Sequence, residues 1–126
     1  RKTPFGTGKS DAARAALGWV SDKSSDEAYQ AVARLRLAAL DMESKAYDQA
    51  LKTLDAQMPK AFEPLAADRR GDVLMAQGKA DEAKTQYQAA WRGLSDRTDY
   101  RKMVEIKLAS LGVDAASLSS AVEAAR

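Results

Sequence analysis

One pattern recurs three times along the chain, and a repeat of this kind leaves few ways to fold. GKSDAARAALGWV (Gly8–Val20), KAYDQALKTLDAQ (Lys45–Gln57) and GKADEAKTQYQAA (Gly78–Ala90) align without a gap. Asp11, Asp48 and Asp81 coincide, then Ala13, Ala50 and Ala83, then Leu17, Leu54 and Tyr87. The period falls in the thirties, the length of one helix-turn-helix unit. Such a unit cannot bury its apolar face alone, so it must stack on its neighbours. An acid early in each copy suits the positive end of a helix dipole.

The last copy is the clearest, because the helix before it is also legible. LAADRRGDVLMAQGKADEAKTQYQAAWRGL (Leu65–Leu94) reads as two helices joined by a tight turn at Gly78. Ala67, Gly71 and Leu74 recur at helical spacing before the turn, and Ala83, Tyr87 and Ala90 share one face after it. The small residues Gly71, Ala83 and Ala90 let two helices approach closely, and Tyr87 fills the space between them. In order and spacing this is the pattern of a tetratricopeptide (TPR) repeat. It departs from that pattern at Arg70, where a large apolar residue is usual, and at Ser95, where Pro is usual. The fold expected is all-α, a TPR-like α-solenoid of stacked antiparallel helix pairs. Its first helix matches the second helix of a repeat, so the array reads as truncated at its start.

Composition narrows the function. Cysteine and histidine are both absent, which removes thiol chemistry, disulfides, histidine base catalysis and most transition-metal sites. The net charge is +2, with both signs mixed along the chain. No basic block tracks a phosphate backbone, so nucleic acid is not an expected partner. No apolar run approaches the roughly 18–20 residues that span a bilayer. No cofactor, metal or small-molecule substrate is expected.

Taken in order, residues 1–9 read as a flexible segment because Pro4, Gly6 and Gly8 stand close together. Residues 10–112 read as the repeat domain and 113–126 as a C-terminal helix or tail. Ser25 is the expected N-cap of a helix from Asp26 to Glu43, whose apolar positions are Ala28, Val32, Leu35, Ala39 and Met42. Pro64 suits the first turn of the next long helix. Helix six carries Met103, Val104, Ile106, Leu108 and Leu111 as its apolar positions, Gly112 stops it, and Asp114 caps the last helix.

Three groups of residues invite chemistry. TPFGTGKS (Thr3–Ser10) ends in GKS like a phosphate loop, but Thr3 stands where that motif needs its first Gly, and no strand precedes it. Asp68, Asp72 and Glu105 could be paired for acid–base work. With no histidine beside them, a solvated helix face with local ion pairs to Arg69 and Arg70 is the expected arrangement. Met42 and Met75 hold equivalent places in successive repeats. In stacked pairs the first helices line a concave side, so Leu35, Ala39, Met42, Asp68, Asp72 and Met75 are the candidate protein-binding residues. Their flexible Met side chains suit loose recognition of apolar segments. The residues expected to pack the repeats are Ala13, Leu17, Ala50, Leu54, Gly71, Leu74, Ala83, Tyr87 and Ala90. Trp91 is expected against helix six, and Trp19 partly exposed.

RLRLAAL (Arg34–Leu40), ALKTLD (Ala50–Asp55), ADRRGDVL (Ala67–Leu74) and IKLASL (Ile106–Leu111) resemble the YfgM-like family, ancillary subunits of the bacterial Sec translocon. The resemblance covers roughly Ser10–Leu111 and accounts for Arg70, since the family pattern carries Arg just before the Gly. It implies a non-enzymatic, periplasmic TPR-like domain, tethered to the inner membrane by one N-terminal transmembrane helix. It implies the Sec translocon and a membrane-anchored periplasmic chaperone, PpiD, as partners, with unfolded secretory clients assisted in transfer. A generic TPR scaffold of another envelope complex is the alternative expectation.

Overall fold

A computed structural model of the chain describes residues 4–124, with side chains from 11 to 119. Its described residues form seven α-helices: α1 (Pro4–Lys23), α2 (Glu27–Glu43), α3 (Tyr47–Asp55), α4 (Glu63–Ala76), α5 (Ala80–Gly93), α6 (Thr98–Ser110) and α7 (Ala115–Ala124). A short 3₁₀ turn, Lys60–Phe62, precedes α4. No strand occurs among the described residues, and neighbouring helices pack on each other in pairs, consistent with a TPR-like all-α array. The chain divides into two compact units, one ending at Phe62 and the other beginning at Glu63.

The first unit packs α1 on α2 and α2 on α3. Its core is Ala31, Ala33, Ala38, Ala50, Leu54 and Met58. Ala50 and Leu54 are fully buried, as the repeat alignment requires. Ala13 and Leu17 are corrections to that alignment. Ala13 is exposed and Leu17 only half-buried, because α2 is the one main neighbour of α1 among the described residues and Ala13 lies off that contact. The segment read as flexible is a second correction. From Pro4 the backbone is already helical, and proline's fixed φ favours a first helical turn. Asp11 therefore lies inside α1 instead of at its start, and Gly6 and Gly8 belong to a helix, which cannot cradle a phosphate as a loop does. Thr3 lies outside the described residues. Asp26, not Ser25, caps α2: its carboxylate accepts from the backbone N–H of Ala28 at 2.9 Å and Tyr29 at 3.3 Å.

The second unit packs α4 on α5, α5 on α6 and α6 on α7. Ala66, Ala67, Val73, Leu74, Ala83, Tyr87, Ala90, Trp91, Leu94, Val104 and Leu108 form its core, and Leu118 carries α7 onto it. Helices α4 and α5 approach closely at Gly71, where a Cβ would stand 2.6 Å from Tyr87 Cδ1. A second close approach was not legible in the sequence: a Cβ on Gly93 would stand 2.5 Å from Pro64 Cγ, so the end of α5 presses on the start of α4.

Three turns between helices share one hydrogen-bond scheme. After α2, Lys45 N–H donates to the Met42 carbonyl at 3.0 Å and Ala46 N–H to that of Asp41 at 2.7 Å. After α4, Gly78 and Lys79 donate to Met75 and Leu74, and after α6, Gly112 and Val113 donate to Ala109 and Leu108. This closure puts one residue in the left-handed region. Gly78 and Gly112 meet it at φ 78° and 81°, but in the first unit the residue is Lys45, at φ 63°. A side chain there costs about 1 kcal/mol. Lys45→Gly is expected to stabilise the first unit by about that amount, read as a raised melting temperature by circular dichroism. An unchanged or lowered melting temperature would show that Lys45 is not strained.

Candidate functional site

The acids on α4 do not form a solvated face. Asp68 is 1 % exposed. Its Oδ1 accepts from the Lys107 ammonium at 2.9 Å and its Oδ2 from the Tyr100 hydroxyl at 2.7 Å. Asp72, one helical turn on and partly exposed, accepts from the Tyr87 hydroxyl at 2.7 Å and from Lys107 at 3.0 Å. One ammonium from α6 thus bridges two carboxylates of α4, with a phenol from α5 and another from α6 closing the ring of donors. Arg69 and Arg70 are not the partners expected of them: Arg70 Nε donates to Gln86 at 2.9 Å and its guanidinium lies 3.8 Å from Glu63. Glu105 accepts from the Trp91 indole N–H at 3.0 Å, and Arg101 stacks on the Trp91 ring at 3.5 Å. Trp91 is therefore buried against α6, as expected, while Trp19 is 63 % exposed.

The cluster is electrostatically closed. Burial pushes the Lys107 ammonium down, but its hydrogen bonds to Asp68 and Asp72 and their negative charges more than reverse this, and its pKa stands above the usual lysine value. Burial, the bond to Asp72 and the charges of Asp72 and Asp68 push the Tyr87 phenol far above its ordinary range. Burial and the bond to Asp68 do the same for Tyr100. The three donors, Lys107, Tyr87 and Tyr100, are thus held protonated at neutral pH. A catalytic pair would need one group poised to exchange a proton near neutrality. The arrangement fastens three helices together.

The first unit has a smaller counterpart. Asp41, 3 % exposed on α2, pairs with Arg14 of α1. Arg34 of α2 donates to the carbonyl of Gln57 at 2.7 Å, tying the segment after α3 back onto α2. A polar pocket of about 430 Å³ opens beside it, lined by Glu27, Gln30, Arg34, Gln57 and Lys60 among others. Among the described residues, no acids cluster as metal ligands.

The expected protein-binding residues fall into distinct environments. On α2, Leu35 and Met42 are half-buried and Ala39 is exposed. On α4, Met75 is 39 % exposed, Asp72 is partly exposed and Asp68 is buried. Asp68 therefore cannot present an acidic edge to a partner, since its carboxylate is already taken up by Lys107 and Tyr100. Sequence reading missed that Met103 and Ile106, placed in the stripe of α6, are 59 % and 70 % exposed. Val104 and Leu108 occupy the core-facing line, and a helix can turn only one such line inward.

Helices paired across a glycine–tyrosine contact and turns of one repeated form define a helical-repeat domain. The chain matches the tetratricopeptide repeat-like domain family over residues 2–113. It is 35 % identical over 109 residues to the "Ancillary SecYEG translocon subunit" of Neisseria gonorrhoeae, covering 86 % of this chain and 52 % of that one. It is 34 % identical over 91 residues to the Escherichia coli K12 protein of the same name, covering 71 % and 43 %. The chain belongs to the tetratricopeptide repeat-like, YfgM-like family. It spans about half the length of the curated relatives it matches. No solved structure gives a significant match. No helix among the described residues is long and apolar enough to cross a membrane.

Proposed function

We propose that this chain is the protein-binding domain of a translocon-associated accessory protein. The observation that carries the proposal is 35 % identity, across 86 % of the chain, to a protein named as an ancillary SecYEG translocon subunit. In this role the domain faces the periplasm as part of an inner-membrane protein. It helps pass secreted proteins to periplasmic chaperones, a membrane-anchored PpiD-like protein among them. The chemistry of the surface supports the role. Leu35, Ala39 and Met42 on α2 in the first unit, and Met75 on α4 in the second, each offer apolar, adaptable contacts that need no single partner sequence. Asp72, like Asp68, is already taken up by Lys107 and by the Tyr87 hydroxyl, so recognition by these residues rests on the apolar contacts.

Met42→Glu combined with Met75→Glu is expected to reduce photo-crosslinking to translocon and client proteins in native membranes several-fold while the circular dichroism melt persists. Met75→Glu alone keeps the test open if the double variant unfolds, because Met75 is 39 % exposed and tolerates a charge. Undiminished crosslinking by a folded variant would overturn these residues as the binding surface. Crosslinks confined to envelope proteins other than the translocon would overturn the translocon assignment.

A further inference from the structure

The polar pocket of the first unit, about 430 Å³ in volume, carries charge that the fold itself does not use. Glu27, Gln30 and Arg34 line it from one face of α2, and Gln57 and Lys60 from the segment after α3. Its wall is already fixed. Arg34 Nη1 donates to the Gln57 carbonyl at 2.7 Å and Nη2 to the Ser21 carbonyl at 3.4 Å. Gln30 Nε2 donates to the Ser24 carbonyl at 2.6 Å. All of these acceptors are neutral. Among the described residues, Glu27, Arg34 and Lys60 make no ion pair, whereas the buried acids Asp41 and Asp68 each hold a cation. A guanidinium bound only to carbonyls keeps its charge, and its remaining N–H groups are donors for a carboxylate. Glu27 and Arg34 stand two helical turns apart, about 10 Å along the axis. An extended chain advances about 3.3 Å per residue, so three of its residues cover that span.

We propose that this pocket binds an extended peptide segment carrying an acidic and a basic side chain about three residues apart. The carboxylate pairs with Arg34 and Lys60, and the cation pairs with Glu27. The stem of the segment packs on Met58, which is 6 % exposed, and on Pro59, the apolar part of the lining. A segment of both signs leaves no charge of the pocket unmatched, whereas a phosphate dianion would meet Glu27 as well as the two cations. The inference rests on the reading of the chain as a protein-binding domain and names a partner chemistry for it. Exposed charge pairs contribute little each, so the affinity is low and the contact suits passing segments.

The probe is a capped Ser- and Gly-based peptide with one Lys and one Glu at that spacing, titrated into the unaltered chain. Nuclear magnetic resonance of the Gln30 and Gln57 side-chain amides reads the pocket directly. Both signals are expected to move, with a Kd of about 1 mM that rises with added salt. Glu27 and Lys60 are exposed and their substitution leaves the fold in place, whereas Arg34 ties α2 to the Gln57 carbonyl and is kept. Lys60→Glu is expected to weaken the peptide about fivefold. Glu27→Lys is expected to weaken it as well, and to strengthen a peptide whose Lys is replaced by Gln. Signals that stay in place to about 10 mM peptide would overturn the proposal. So would equal shifts with an uncharged peptide or with inorganic phosphate alone, or a Glu27→Lys variant that affects both peptides alike. Membrane crosslinking by Met75→Glu is scored separately, so a silent pocket overturns this inference and leaves the protein-binding reading to its own test.

Discussion

Gly71→Leu is expected to destabilise the second unit by about 3 kcal/mol, read as a lowered urea midpoint. A Cβ at this position would already stand 2.6 Å from Tyr87 Cδ1 and 2.8 Å from Cζ, inside van der Waals contact. The ring cannot retreat at low cost. It is 3 % exposed, and its hydroxyl is tied to Asp72 at 2.7 Å. Overpacking costs about 1–3 kcal/mol, and moving the ring would add the loss of a buried hydrogen bond at about 1 kcal/mol or more. Even Gly71→Ala should lose stability, because the ~1 kcal/mol gained in helix propensity is smaller than the clash. Gly18 provides the contrast: it lies in α1 with nothing within 4 Å of a Cβ, so Gly18→Ala should gain about 0.5–1 kcal/mol. Trp91 is the natural probe, being 4 % exposed in the second unit, whereas Trp19 in the first is already largely in solvent. A Gly71→Leu protein with the parent midpoint would remove the α4–α5 crossing from the account.

Lys107→Met is expected to cost about 3 kcal/mol, since it leaves Asp68 and Asp72 beside each other with no cation. Asp68 is the costly one, at 1 % exposure, because water cannot replace the lost ammonium. Adding Asp68→Asn to Lys107→Met should restore part of the loss, and the two changes should be strongly non-additive. Additive effects would show that the two groups act independently. The same cluster sets an alkaline limit. The pKa values of Lys107, Tyr87 and Tyr100 are all raised in the folded chain. The unfolded chain releases these protons near pH ~10, while the folded chain keeps them. Stability from the cluster is therefore full below that pH and is lost as pH rises above it. The urea midpoint should be flat between about pH 7 and 9 and fall from about pH 10 upward. That fall should be shallower in Tyr87→Phe and Tyr100→Phe. An identical slope in those variants would place the alkaline transition elsewhere.

Much of the fold was legible because repeats constrain local and tertiary structure together. A residue that recurs at a fixed place in a helix-turn-helix unit has its neighbour specified by the same period. Gly71 opposite Tyr87, the burial of Ala50, Leu54, Ala83 and Ala90, and the stop at Gly112 all follow from spacing alone. The family could be read from short stretches for the same reason, since Arg70 before Gly71 breaks a generic repeat pattern while keeping the packing.

Helical spacing determines which residues share a face, and here it determined the glycine crossing and the order of the helix pairs. It does not determine which distant charge arrives at that face. Asp68 and Asp72 have Arg69 and Arg70 beside them in the chain, yet their cation comes from Lys107, 39 and 35 residues away. Only the packing of α6 on α5 decides this, by bringing the ammonium into a space where the acids would otherwise be buried alone. The same packing turns Val104 and Leu108 inward and leaves Met103 and Ile106 in solvent, although all four are apolar and lie within two turns of one helix. The apolar pattern names the candidates for burial, and the neighbouring helix, covering one side of α6 only, selects among them.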